Sequence, residues 1–199
     1  MLIAVADTET TGLVRKDYTA VGNPYLASLT LLIYDTEAAR VQASFNTMIL
    51  PDGWEMPPEA GAINGLDTET LAEFGIPLKQ ALAVTASLIE PVEIFVAHNV
   101  LFDARMFAAS FYRADMLEEL DIILNKETYC TMNESKHIVQ AKNIKGALKM
   151  PKLTEAYQFF FNEILDNAHS ANADTVACLE VYLAIQEHKA EQEGTEVSL

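Results

Sequence analysis

Four carboxylates and one histidine stand where this chain would otherwise be expected to place core or turn residues. Asp7-Thr8-Glu9-Thr10-Thr11-Gly12 closes an apolar run that starts at Leu2. Asp103 ends the stretch Ala97-His98-Asn99-Val100-Leu101-Phe102-Asp103, and Asp174 follows His169 by five positions. Oxygen ligands in that number, with an imidazole nearby, make up the donor set of a phosphodiester hydrolase that works with two divalent cations. Each residue alone has a plainer explanation. Asp-x-Glu pairs occur on many solvated strands, a helix dipole favours acids in its first turn, and a loop histidine is usually just solvated.

The neighbours of these residues argue against the plain explanations. Side chains alternate along a strand, so Asp7 and Glu9 share one face and Thr8 takes the other. Two adjacent carboxylates repel unless a cation lies between them. Asp103 shares a helical stripe with Met106, Phe107 and Ser110, a mostly buried side, and can lean over the sheet edge toward Asp7 and Glu9. Asp174 is followed at helical spacing by the apolar Cys178, Val181 and Ile185. His169 has the right unperturbed pKa for a general base. His98 is open between a hydrogen-bonding role at the sheet edge and a role in the site, while His137 and His188 read as surface residues.

The elements that must carry these groups follow from periodicity and punctuation. Residues 2–6 read as a strand buried on both faces. Leu26 to Tyr34 and Arg40 to Leu50 read as an antiparallel pair around a turn at Asp35-Thr36-Glu37. Pro51 to Gly65 reads as a connection, followed by a short helix capped at Asp67 or Thr68 and ended by Gly75. A helix from Pro77 to Pro91, a strand from Glu93 to Ala97 and a helix from Val100 to Arg113 come next. Between Asp115 and Lys152 the pattern supports some helix and a short strand at Tyr129-Cys130-Thr131. Leu153 to Phe161 and Asn172 to His188 read as helices, and a frayed charged tail is expected over 189–199. The expected fold is α/β, a central mixed sheet with helices on both sides, in one domain over residues 1–188.

Composition bounds the setting. The chain has 199 residues, half of them hydrophobic, enough for a full core without disulfides. Cys130 and Cys178 read as reduced thiols. The amino terminus lacks a basic segment and no apolar run reaches membrane-spanning length, so a soluble, cytoplasmic protein with no membrane partner is expected. The net charge of −16 opposes phosphate binding at long range. Yet five of the 13 basic residues, Lys136, Lys142, Lys145, Lys149 and Lys152, fall in one stretch of 17 with no acid between them. The acidic excess lies elsewhere, in Glu118-Glu119-Leu120-Asp121 and at Glu187, Glu191, Glu193 and Glu196. Trp54 is open between stacking on a base and plain packing.

Taken in order, Asp7-Thr8-Glu9-Thr10-Thr11-Gly12-Leu13, His98-Asn99-Val100-Leu101-Phe102-Asp103 and His169-Ser170-Ala171-Asn172-Ala173-Asp174 resemble the three motifs of the DEDDh exonuclease superfamily. That group includes the proofreading epsilon subunit of bacterial DNA polymerase III. Ala62-Ile63-Asn64-Gly65-Leu66, Cys130-Thr131-Met132 and Lys152-Leu153-Thr154-Glu155-Ala156-Tyr157 are also similar to the family. The resemblance implies a ribonuclease-H-like fold and a 3′→5′ exonuclease that releases nucleoside 5′-monophosphates from single-stranded DNA. It implies two divalent cations, Mg2+ or Mn2+, one on Asp7, Glu9 and Asp174 and the second on Asp7 with Asp103. His169 would be the general base. Thr10, Thr11, Gly12 and Leu13 would meet the terminal nucleotide, with His98, Asn99 and Phe102 also on the substrate side. A DNA polymerase or another replication or repair protein is an implied partner. Two other readings stand beside this one: an RNA-trimming exonuclease of the same superfamily, and a non-catalytic nucleic-acid-binding or polymerase-docking module.

Overall fold

The apolar run at the amino terminus becomes the middle strand of a five-stranded sheet. In the computed structural model, which describes residues 1–165 and 171–196, β1 (Leu2–Thr10) pairs antiparallel with β2 (Leu26–Asp35) and parallel with β4 (Ile94–Ala97). β3 (Arg40–Met48) and β5 (Glu127–Cys130) form the edges, giving the order β3-β2-β1-β4-β5. The helices are α1 (Pro58–Asn64), α2 (Thr68–Phe74), α3 (Leu78–Ile89), α4 (Val100–Arg113), α5 (Leu117–Leu124), α6 (Thr131–Val139), α7 (Leu153–Phe161) and α8 (Ala171–Glu196).

Alternation along β1 sorts the core into two layers. Ala4 and Ala6 face one side, where Leu29, Leu31, Phe95 and Ala97 pack with Leu82 and Ile89 of α3, Phe107 and Phe111 of α4, and Leu120 of α5. Ile3 and Val5 face the other, with Leu32, Tyr34 and Val96 against Cys178, Leu179 and Tyr182 of α8. Behind them Ala156 of α7 meets Val181 and Ile185. The expected mixed sheet with helices on both sides is what forms. Among the described residues no helix is long and apolar enough to cross a membrane.

Several expectations shift. β1 does not stop before the acids but runs through them to Thr10, because β2 keeps pairing as far as Glu9 opposite Ser28. A bulge between Glu9 and Thr10 then ends the regular ladder. Residues 51–65 are not all connection, since they contain α1. Pro58 fits the first turn, where its missing N–H costs nothing, and Gly65 closes the helix at φ 72° with its N–H on the Gly61 carbonyl. β3 ends at Met48 rather than Leu50, for Ile49 turns aside to bridge Ile76. α8 continues past His188 to Glu196. Its second half is held down by Lys189, which donates to Glu134 of α6 at 2.6 Å. Trp54 stacks on Tyr25 (5.2 Å between centroids, 10° between planes), and the Arg113 guanidinium lies 4.2 Å from the Tyr25 ring centre. Packing is therefore the role the fold gives that tryptophan.

Candidate active site

The site forms where β1 ends. Asp7 and Glu9 lie on the strand face that meets α8, and the first turn of α8 brings in Asp174. One carboxylate oxygen from each of Asp7, Glu9 and Asp174 lies within 4.8 Å of the other two, and all three residues are partly buried. Three acids at that spacing repel strongly in a poorly solvated place. Burial pushes the Asp7 carboxyl well above its ordinary range, and the charges of Asp103, Glu9 and Asp174 push it further. Glu9 is raised to about 7, first by burial and then by Asp174, against a lowering hydrogen bond from Asn64. A divalent cation removes this conflict, and the all-oxygen donor set suits a hard ion.

Asp103 reaches the same strand end from the opposite face. α4 starts after a sharp turn in which Asn99 takes φ 78°, a left-handed conformation asparagine tolerates. The Asp103 side chain is 3 % exposed and accepts a hydrogen bond from the Thr8 hydroxyl at 2.8 Å. Burial raises its pKa, Thr8 pulls it down, and the Glu9 charge raises it. Asp103 is thus close enough to exchange charge effects with Asp7 and Glu9, yet it stands outside the tight trio. Thr8, expected only to point away from Asp7 and Glu9, turns out to hold the fourth acid. His169 lies outside the described residues.

Beside Glu9 opens a cavity of about 380 Å3 lined by Thr8 to Leu13, Pro57, Glu59, Ala60, Ile63, Asn64 and Phe102. Its floor is tied down locally. The Thr11 N–H donates to the Tyr25 carbonyl at 3.0 Å, and the Thr11 hydroxyl accepts from the Tyr25 N–H at 2.8 Å. The Thr10 hydroxyl donates to the Gly12 carbonyl at 2.6 Å. Leu13 (87 % exposed) and Ile63 (66 % exposed) form an apolar rim. Asn64 donates to the Thr10 carbonyl at 3.4 Å, which docks α1 against the strand end. So Thr10, Thr11, Gly12, Leu13 and Phe102 do line one hollow, while Asn99 sits exposed at the turn into α4.

His98 takes the hydrogen-bonding role at the sheet edge. Its Nδ1 lies 2.9 Å from the Thr131 hydroxyl and its Nε2 3.1 Å from the Pro151 carbonyl. Both ring nitrogens are taken up inside the fold, so no polar atom of the ring is left for substrate. Burial lowers its pKa to about 4, against the raising effect of the Pro151 carbonyl, and the ring is neutral near pH 7. Ile63 and Asn64 stand in the family-like stretch Ala62-Ile63-Asn64-Gly65-Leu66, but the reading of 51–65 as connection gives them no place at the site. Gly65 after an apolar turn was the helix-end signal that would have revealed them.

An acidic trio stands beside this hollow on the carboxyl edge of a mixed sheet with helices on both sides, a ribonuclease-H-like fold whose oxygen ligands could take a divalent cation. The chain belongs to the RNase T exonuclease family, whose model matches residues 4–182. No curated protein sequence matches it. The structure is similar to Escherichia coli exonuclease I bound to a dA16 oligonucleotide (TM-score 0.72, 19 % identity, 92 % of this chain and 40 % of that one). It is likewise similar to the same enzyme bound to a dT13 oligonucleotide (TM-score 0.74, 17 % identity, 98 % and 43 %). A further exonuclease I structure gives a TM-score of 0.76 at 17 % identity over 94 % of this chain and 41 % of that one. This chain therefore spans about two-fifths of the length of those proteins.

Proposed function

We propose that the chain hydrolyses phosphodiester bonds from the 3′ end of single-stranded DNA and releases nucleoside 5′-monophosphates. The observation that carries this reading is the spacing of Asp7, Glu9 and Asp174, within 4.8 Å and with the Asp7 and Glu9 carboxyls raised, next to the hollow. Asp7, Glu9 and Asp174 would hold one divalent cation, and Asp7 with Asp103 a second, magnesium or manganese. Bound there, such ions supply positive charge that acidifies the attacking water and offsets charge on the leaving 3′ oxygen. The chain's own residues do the rest. Thr8 fixes Asp103, and Asn64 steadies both Glu9 and the Thr10 backbone. Leu13, Ile63 and Phe102 hold the terminal base against an apolar wall, and His169 takes the proton of the attacking water.

The oligonucleotide complexes of exonuclease I support single-stranded DNA as the substrate class. The strongly acidic chain supports action at a substrate presented by a replication or repair protein such as a polymerase. Digestion of matched DNA and RNA oligonucleotides, labelled at either end, with magnesium or with chelator, tests the reading. Loss of the 3′ label first, on DNA and only with metal, is expected. Equal or faster loss from RNA would transfer the proposal to RNA trimming, and no turnover by folded protein would leave a binding module.

A further inference from the structure

The lysine-rich stretch folds into a short hairpin at the site's own edge of the sheet. Lys142 bridges Leu148 antiparallel, and Asn143 N–H to Ala147 O, Gly146 N–H to Asn143 O and Lys149 N–H to Ala141 O, each 2.9 Å, close the loop. The Asn143 side chain accepts from the N–H groups of Lys145 and Ala147 at 2.9 and 3.1 Å, and Gly146 supplies the φ of 79° at the turn. The stem is anchored twice. Lys149 is gripped by Glu155 at 2.7 and 2.5 Å, and the buried Pro151 gives its carbonyl to His98. His98 follows Ala97, the last residue of β4, and β4 runs parallel to β1 with Val96 beside Val5. The hairpin stem therefore leaves the sheet at the same carboxyl edge as Asp7 and Glu9.

The chemistry of the hairpin is unlike the rest of the surface. It lies within the stretch that holds five of 13 cations in a chain of net charge −16. Among the described residues Lys136, Lys142 and Lys145 make no ion pair. Ile144 is fully exposed between Lys142 and Lys145, and Leu148 and Met150 are 43 % and 41 % exposed. Lysines alternating with bare apolar side chains match a strand whose phosphates alternate with unstacked bases. A duplex hides the base faces those apolar groups would cover.

We propose that the hairpin over residues 140–150 guides single-stranded nucleic acid upstream of the terminal nucleotide, an inference that rests on the exonuclease reading. Four residues in each arm reach about 13 Å, enough to meet a strand beyond the catalytic hollow. Length of substrate then becomes the discriminating variable. Lys142→Ala/Lys145→Ala and Ile144→Ser are compared with wild type on a dinucleotide and on oligothymidylate of about 15 nucleotides, a length typical of single-strand sites. On the long strand the double variant is expected to raise KM about tenfold with kcat kept, and to flatten the slope of log KM against log salt by about 1.4. Dinucleotide kinetics should not change. An unchanged KM on the long strand, or an equal loss on both, overturns the proposal. Should wild type cleave neither substrate, the exonuclease reading fails by itself. Anisotropy of the labelled long strand in chelator then decides the hairpin, weaker binding by the double variant supporting it and equal binding overturning it.

Discussion

The two faces of β1 solve the same electrostatic problem in opposite ways. On the α8 face Asp7, Glu9 and Asp174 crowd together within 4.8 Å, and burial with the neighbouring charges raises the Asp7 and Glu9 carboxyls. On the α4 face Asp103 is more deeply buried, yet it has a dedicated donor in the Thr8 hydroxyl. On one face crowded charges add to the effect of burial, whereas on the other the Thr8 donor offsets part of the burial that raises Asp103 to about 7. The contrast teaches that burial alone does not set the state of an acid, because its donors and charged neighbours act as well. Crowding of like charges in a poorly solvated place is the strain a cation would relieve.

The sharpest way to break that contrast is Asp7→Asn, which removes the charge shared by every neighbour. If cation charge contributes several kcal/mol to catalysis, turnover of a 3′-labelled strand should fall about a thousandfold or more. The same variant should melt no lower than wild type in chelator, since a repelling acid is gone. A variant that kept most of its turnover would remove Asp7 from the site. Thr8→Val attacks the other face. Loss of one hydrogen bond to a charged group, about 1.5–3 kcal/mol, should cut kcat at neutral pH by about tenfold to a hundredfold. It should also move the acidic limb of the pH profile upward, because Thr8 lowers the Asp103 pKa. A profile that stays in place would show that Asp103 does not need this donor.

Heat and pH sharpen the comparison further. The folded-state pKa of Glu9 is raised from 4.5 to about 7, so its contribution to stability is fully present below pH 4.5 and is lost as pH rises through about 7. Asp7 shifts in the same direction. In chelator the melting temperature should therefore fall between pH 5 and pH 8, by about 2–4 °C for each kcal/mol of repulsion, and magnesium should restore it at pH 8. A flat melting curve across that range would mean the trio is not strained when empty. The smallest expected effect belongs to Ile63→Ser on the rim. Losing part of one apolar contact should raise KM a few-fold with kcat kept. A larger loss in kcat would give that residue a role in alignment rather than in holding a base.

Sequence alone carried the parts of the molecule in which side-chain period and chemistry agree. The acids of β1 and the stripes behind Asp103 and Asp174 were visible because a carboxylate interrupts an otherwise apolar pattern. α4 was readable as a helix from about Val100 to Arg113, the span it takes. α1 was not, because Pro51, Pro57 and Pro58 suggested a loop, although Pro58 sits where a helix accepts it. The Thr8–Asp103 bond spans 95 positions and joins β1 to α4, so no local pattern could announce it. His98 was ambiguous for the same reason, its partners Thr131 and Pro151 being remote in the chain.

Asp174 rides on the end of a 26-residue rod, about 39 Å from tip to tip. Its placement against Asp7 and Glu9 is therefore settled along the whole rod, by Cys178, Tyr182 and Ile185 beneath it and by the Lys189 tether far down its length. A slip of a single turn, about 5.4 Å, would exceed the span of the entire ligand cluster. Cation affinity is in this sense a property of the rod's seating, and core substitutions several turns away should detune it without touching a ligand.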